Sequence, residues 1–231
     1  MESLSDIIEV KKIFDDGRRG EFHIEKLYPG YGITIGNALR RALLSSLPGA
    51  GITSIKVEGV SHEFSTIPGV KEDLVEVILN LKRIRFKFVG EEPQILTLNE
   101  VGKKKVKAKD LRCPPQVQPI NKDFPILTLV DDKAKINMEL TVEKGLGYSP
   151  ASQRPAKKLP IGTILIDAIF SPIEKVNFSV ENMRVRERTD YNRLKLEIET
   201  DGSLTPTEAF RKVSQILRDH YDRIEQQLTK L

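Results

Sequence analysis

The chain has 231 residues, 39% hydrophobic and 30% charged, with 37 Lys and Arg against 33 Asp and Glu for a net charge of +4. A chain of this length buries roughly 70% of its unfolded surface and needs neither disulfide nor metal to hold a core. The single cysteine, Cys113, excludes an intrachain disulfide or a thiolate cluster. No apolar run reaches membrane-spanning length, and the small positive excess argues against affinity built mainly on phosphate contacts.

Met1-Glu2-Ser3 has neither the basic start nor the apolar core of a secretory signal, so the cytoplasm is the expected compartment. Residues 21–35 read as a strand and a tight turn, with Phe22, Ile24 and Lys26 on one face and Tyr28-Pro29-Gly30-Tyr31-Gly32 rich in turn formers. The period then changes. Ile35, Leu39, Ala42, Leu43 and Leu47 recur at three- and four-residue intervals, predicting a helix over 35–47 that Pro48-Gly49 ends. Residues 52–60 return to alternation, and SHEFSTIPG at 61–69 is a loop. A second helix is expected over 72–84, through Leu74, Val77, Ile78, Leu81 and Ile84. Strands follow at 84–88, 95–98, 126–130 and 135–142, the last with Ile136, Met138, Leu140 and Val142 on one face.

Two stretches read as linkers. Residues 112–125 carry four prolines and cannot be a sheet interior. Residues 144–160 are long, polar and broken by Gly and Pro, the composition of a segment that is mobile or gripped by a partner. Strands are expected again near 161–170, 175–187 and 193–200. Thr205-Pro206-Thr207-Glu208 then supplies a capping hydroxyl, a proline at the first helical position and a Glu three residues after the cap. Phe210, Val213, Leu217, Tyr221, Ile224 and Leu228 form a stripe down a helix over 206–228, which must cover a sheet, a partner, or both. With the helix at 35–47 it is the preferred dimer surface, through Ile35, Leu39, Leu43, Phe210, Val213, Leu217, Tyr221, Ile224 and Leu228; packing within the chain alone is the alternative. The class is α+β.

Chemistry is scarce. His23, His62 and His220 show no ligand spacing, so no metal or cofactor is expected. Gly30, Gly32 and Gly36 are spaced GxGxxxG rather than as a dinucleotide fingerprint, and turn-making and close packing explain them better. No nucleophile elbow or triphosphate loop is present, so no catalytic residue is assigned. The lysine run GKKKVKAKD at 102–110 reads as a solvated loop or an edge strand. Arg40-Arg41 is more informative: adjacent helical positions diverge by roughly 100°, so the two guanidinium groups cannot do the same job.

Five ordered motifs carry a resemblance: GYGITIGNALRRALLSSLPG at 30–49, HEFSTIPGVKEDLVEVILNLK at 62–82, GLGYSPAS at 145–152, PIGTILIDAIFSPIEKVNFSVE at 160–181 and VRERTDYNRLKLEIETDG at 185–202. In this order they resemble the assembly domain of the alpha subunit of bacterial-type DNA-directed RNA polymerase, over nearly the whole chain. Tyr31, Ile33 and Ala42 depart from the family's commoner residues while keeping helix and packing character, and 100–123 is the least familiar stretch. The resemblance implies a discontinuous dimerisation domain, 1–50 and 170–231, with a mainly beta domain, 51–169, inserted in it. It implies a non-catalytic homodimer that recruits the beta and beta-prime subunits, in the cytoplasm or, for a chloroplast source, in a plastid. It associates Arg41 with beta assembly, and puts Asn37, Arg40, Ser45 and the 62–67 segment, with His62, Glu63 and Phe64, in the same neighbourhood. The 145–152 loop and the 173–199 region are the implied large-subunit contacts, beta-prime above all. The family's promoter-binding domain lies beyond the length of this sequence, so direct promoter binding is not expected of it. A free-standing nucleic-acid-binding module is the alternative from another class.

Overall fold

The computed structural model describes residues 7–154, 160 and 162–230. The chain divides into two compact units, one formed by residues 1–47 and 171–231, the other by residues 48–170 between them. The architecture is α+β with an insert.

In the discontinuous unit, β1 (Glu9–Asp15), β2 (Arg19–Leu27), β13 (Ile173–Val185) and β14 (Arg188–Thr200) form one antiparallel sheet in the order β1-β2-β14-β13. Alternation turns Phe22, Ile24, Leu194, Leu196, Ile198 and Val176 into the core, where helices α1 (Tyr31–Ser46) and α3 (Pro206–Leu228) add Leu39, Leu43, Ala209 and Val213. Lys26 does not continue the face of Phe22 and Ile24. It stands in the left-handed region, φ 61, and the resulting irregularity turns Leu27 into the core instead. β1 was not legible as a strand because Val10, Ile13 and Phe14 are exposed and its register shifts between Lys12 and Phe14.

Helix α1 starts a turn earlier than its apolar stripe, inside the stretch that reads as a turn. Gly30, at φ 88, precedes it, and the backbone N–H groups of Gly30 and Gly32 donate to Oδ1 of Asn192 on β14 at 3.0 and 3.3 Å. A strand side chain thus satisfies donors that a local cap would ordinarily take. Gly32 and Gly36 let the helix lie directly on the sheet: a Cβ on Gly32 would come 2.6 Å from Val180 Cγ1, and one on Gly36 2.6 Å from the Phe178 ring. Close packing is therefore the reason for both glycines.

The inserted unit is built on a sheet of order β11-β3-β9-β5, from β3 (Pro48–Val57), β5 (Gln94–Val101), β9 (Lys135–Leu146) and β11 (Thr163–Leu165). Ile136, Met138, Leu140 and Val142 are all buried, as the alternation requires, and Leu74, Val77, Ile78 and Leu81 of α2 (Leu74–Lys82) complete the core. Asp73 caps α2 by accepting from the Glu76 N–H at 2.7 Å. Within the proline-rich stretch, β7 (Val117–Pro119) pairs only with β4 (Phe86–Phe88), so its prolines stay out of a sheet interior. The lysine run forms β6 (Lys104–Lys107) in a two-stranded pairing with β8 (Pro125–Leu129).

Two expectations need correction here. The strand near 161–170 is two short ones, β11 and β12 (Ala168–Ile169), because the chain changes partner at Ile166-Asp167 from β3 to β10 (Tyr148–Ser149). The stretch 144–160 is not a free linker as far as Arg154. Its start extends β9, and the Arg154 guanidinium donates to the carbonyls of Thr53, Ser149 and Ile166 at 2.8, 2.9 and 2.5 Å. Positions 155–159 and 161 lie outside the described residues, as do the opening six and Leu231.

Candidate functional site

Helix α3 owes its start to its own sequence. Thr205 Oγ1 accepts from the Glu208 N–H at 3.3 Å, and the Glu208 carboxylate accepts from the Thr205 N–H at 3.2 Å. That N–H, with the Thr205 hydroxyl, holds the Glu208 carboxyl below its ordinary range. The first two turns pack on the sheet through Ala209 and Val213, with Phe210, Ile216 and Leu217 half-buried beside them. Every residue from Arg218 to Lys230 is exposed, including Tyr221 at 63%, Ile224 at 55% and Leu228 at 62%. At 1.5 Å per residue, roughly 16 Å of amphipathic helix carries an apolar stripe with no sheet beneath it among the described residues.

The residues expected on a dimer face therefore separate. Leu39, Leu43 and Val213 are at most 4% exposed and pack within their own chain. Ile35, Phe210 and Leu217 are half-buried at the margin of that core, and only Tyr221, Ile224 and Leu228 offer free apolar surface. On α1, Tyr31, Ile33 and Leu44 are also exposed, at 50%, 59% and 41%. Sequence reasoning passed over these three because they fall between the positions of the core stripe.

The outward face of α1 carries Asn37, Arg40, Arg41 and Ser45, all exposed. Neither Arg40 nor Arg41 has an ion-pair partner among the described residues, so two guanidinium groups stand open to an external acceptor. The Ser45 hydroxyl is turned back to the Arg41 carbonyl at 2.8 Å. In the inserted unit, His62, Glu63 and Phe64 are exposed on a loop whose shape is fixed by its neighbours. The Ser65 hydroxyl lies 3.1 Å from His62 Nδ1, the Leu74 N–H donates to the Ser65 carbonyl at 3.2 Å, and Ile67 is buried. Phe64, at 79% exposure, is thus a large apolar side chain held out by an ordered loop.

The lysine run is partly neutralised. Lys104 Nζ lies 3.0 Å from Glu100 and 2.9 Å from Asp110, while Lys107 and Lys109 share Asp123 at 3.1 and 3.8 Å. On the solvent face of the β1-β2-β14-β13 sheet, Glu25 is 5% exposed and lies 2.7 Å from Lys11 and 3.0 Å from Arg193. Lys11, then Arg193, hold its carboxyl below the ordinary glutamate range against the opposing effect of burial. No helix among the described residues is long and apolar enough to cross a membrane.

Comparison with known proteins agrees with this picture. A family profile described as the RNA polymerase Rpb3/RpoA insert domain matches residues 55–171, nearly the span of the inserted unit. A DNA-directed RNA polymerase subunit alpha from Roseiflexus sp. (strain RS-1) is 54% identical over 198 residues, covering 86% of this chain and 61% of that protein. The subunit alpha of Carboxydothermus hydrogenoformans is 48% identical over 213 residues, 92% of this chain and 67% of the relative. That of Symbiobacterium thermophilum is 46% identical over 215 residues, 93% and 68% respectively. The chain thus spans between three fifths and about two thirds of the length of these curated relatives.

Proposed function

The chain belongs to the family of bacterial-type DNA-directed RNA polymerase alpha subunits, and from that membership we propose that it is a non-catalytic assembly scaffold that works as a homodimer. The observation that carries the dimer is the exposed second half of α3. Three large side chains one helical turn apart, Tyr221, Ile224 and Leu228, prolong a stripe whose first half is core. A second copy related by a two-fold axis brings the same stripe in self-complementary form. Fully burying an Ile or Leu side chain contributes about 1.5–3 kcal/mol, and both copies contribute alike.

Recruitment is the second part of the proposal. Arg41, with Asn37 and Ser45 one turn to either side of it on α1, meets the beta subunit, Arg40 borders that contact about 100° round the helix, and the loop carrying His62, Glu63 and Phe64 adds an aromatic anchor. Arginine and aromatic side chains are the residues that dominate interface energies. The 145–152 loop and the 173–199 region are assigned to large-subunit contacts, chiefly with beta-prime. The nucleotide chemistry belongs to the large subunits, and the setting is the cytoplasm.

Size-exclusion chromatography with light scattering tests both parts. The chain alone is expected at twice its 26.1 kDa mass and to shift to a heavier species on adding purified beta subunit. Arg41→Ala is expected to lose the heavier species with the dimer intact, and Ile224→Glu to yield monomer. A 26.1 kDa monomer that ignores beta would overturn the scaffold reading.

A further inference from the structure

We propose, resting on the homodimer reading of α3, that the turn between β1 and β2 is the seat that aims this helix, with Asp15 and Gly20 as positioning residues for its free apolar half. Among the described residues, Arg218 to Lys230 make hydrogen bonds and ion pairs only within their own helix, such as those of Arg218 with Asp219 and Asp222. The direction of Tyr221, Ile224 and Leu228 is therefore set by what holds the other end. At 1.5 Å per residue, Leu228 lies roughly 33 Å along the axis from Pro206. A tilt of about 10° at the start moves it by about 6 Å, more than the pitch of one helical turn.

The first turn of a helix has backbone N–H groups with no partner inside the helix. In α3, Thr205 and Glu208 satisfy each other, and Pro206 has no N–H to satisfy. Thr207 remains. Its N–H donates to Oδ2 of Asp15 at 3.3 Å, and its hydroxyl donates to the same oxygen. The donor that the helix cannot satisfy locally is thus taken by the end of β1, and the carboxylate faces the positive end of the helix dipole. Burial opposes the charge, yet the Thr207 hydroxyl and the N–H groups of Gly17 and Thr207 hold the Asp15 carboxyl below the ordinary aspartate range.

The same turn fastens the chain that leads into the helix. The Thr200 N–H donates to the Arg18 carbonyl at 2.7 Å, and Arg18 Nη2 donates to the Asp201 carbonyl at 3.0 Å. Pro206 lies directly on Gly20, where an added Cβ would come 2.6 Å from Pro206 Cβ, and the Phe22 and Phe210 ring centres are 5.2 Å apart. The turn holds its own shape, because Asp16 Oδ1 accepts from the Arg18 and Arg19 N–H groups at 2.9 and 2.7 Å and Asp15 Oδ1 from that of Gly17 at 2.9 Å. The adjacent carboxylates divide the work: Asp16 shapes the turn and Asp15 reaches the helix. Ala209 and Val213 bury α3 on the sheet, but apolar attraction is non-directional and leaves a helix seated over two turns free to rock. The directional bonds at its first turn remove that freedom.

Double electron–electron resonance within one protomer tests this. Spin labels are attached through Ser179→Cys on β13 and Gln226→Cys on the polar face of α3, with Cys113→Ser removing the native thiol. The labelled chain is diluted in excess unlabelled chain, so that only distances inside a protomer are read. Asp15→Ala is expected to move the mean distance by at least about 3 Å, the displacement of a tilt of about 5°, or to double the width of the distribution. The dimer dissociation constant, from light scattering on dilution, is expected to rise about tenfold with it. Asp15→Asn keeps an acceptor for Thr207 and is expected to restore most of both effects. Gly20→Ala, which presses on Pro206, is expected to shift the distance with no loss of helix content by circular dichroism.

Unchanged distances in both Asp15→Ala and Gly20→Ala would overturn the proposal, as would a shifted distance with the dissociation constant unaltered. An unaltered chain that stays monomeric at every concentration would overturn the homodimer reading instead, and the distances alone would then decide whether the turn aims the helix.

Discussion

Helices α2 and α3 carry equally regular apolar stripes, yet they meet opposite fates. In α2, Leu74, Val77, Ile78 and Leu81 all enter the core of the inserted unit, and of its large apolar residues only Leu79 is counted among the exposed. In α3 the stripe is core as far as Val213 and half-buried through Leu217, after which Tyr221, Ile224 and Leu228 stand in solvent. Periodicity reports which face of a helix is apolar. It does not report what lies beneath that face, because an apolar stripe is satisfied equally by its own sheet or by another molecule.

The sharpest way to break the contrast is to truncate on each side of it. Leu81→Ala, at a site with no exposure, is expected to cost about 2–5 kcal/mol in urea denaturation at any protein concentration. A loss below about 1 kcal/mol would mean that α2 is not the core element described here. Leu228→Ala is expected to change the stability of the isolated protomer by less than about 0.5 kcal/mol. Its effect is expected only in the rise of melting temperature with protein concentration, which should be shallower in the variant than in the unaltered chain. Equal concentration dependence in the two proteins would remove the distinction between the halves of α3.

Between these in size lies a polar test on the far face of the same sheet. Glu25→Gln removes a buried carboxylate from Lys11 and Arg193 and is expected to cost about 2 kcal/mol at neutral pH. Because the folded-state pKa of Glu25 is lowered, its contribution is complete above the ordinary glutamate range and is lost as pH falls through the folded value. The two proteins should therefore begin to converge in stability as pH falls below the ordinary glutamate range, and meet only below the lowered folded value. A difference that persists unchanged into strong acid would assign the loss to packing rather than charge.

What could be read beforehand follows the locality of each signal. α3 was legible to its boundaries because Thr205, Pro206 and Glu208 are contiguous with the helix they start. The start of α1 was not, since its cap is Asn192, 160 positions from Gly32. β9 was legible in phase through Ile136 to Val142 but not in length, because Pro48–Gly51 of β3 pairs with its glycine-containing end. The discontinuous arrangement itself came from family resemblance, as no local pattern links β2 to β14. The functional residues divide in the same way. Arg40 and Arg41 stood out as a polar break in an apolar helix, whereas the bond from Thr207 to Asp15 has no sequence mark, since 192 positions separate its ends.

The pairing of β2 with β14 also sets an order of events during synthesis. β2 ends at Leu27 and β14 begins at Arg188, so about 160 residues must be made before β2 can gain this neighbour, an interval of roughly 10–30 s at translation rates of 5–20 residues per second. Throughout that interval α1 lacks its Asn192 cap and the sheet on which Gly32 and Gly36 rest, while the whole inserted unit, residues 48–170, leaves the ribosome with its own core complete. The middle of the chain is thus ready to fold before its beginning, and the nascent β1-β2 hairpin is the stretch that waits longest with apolar surface uncovered.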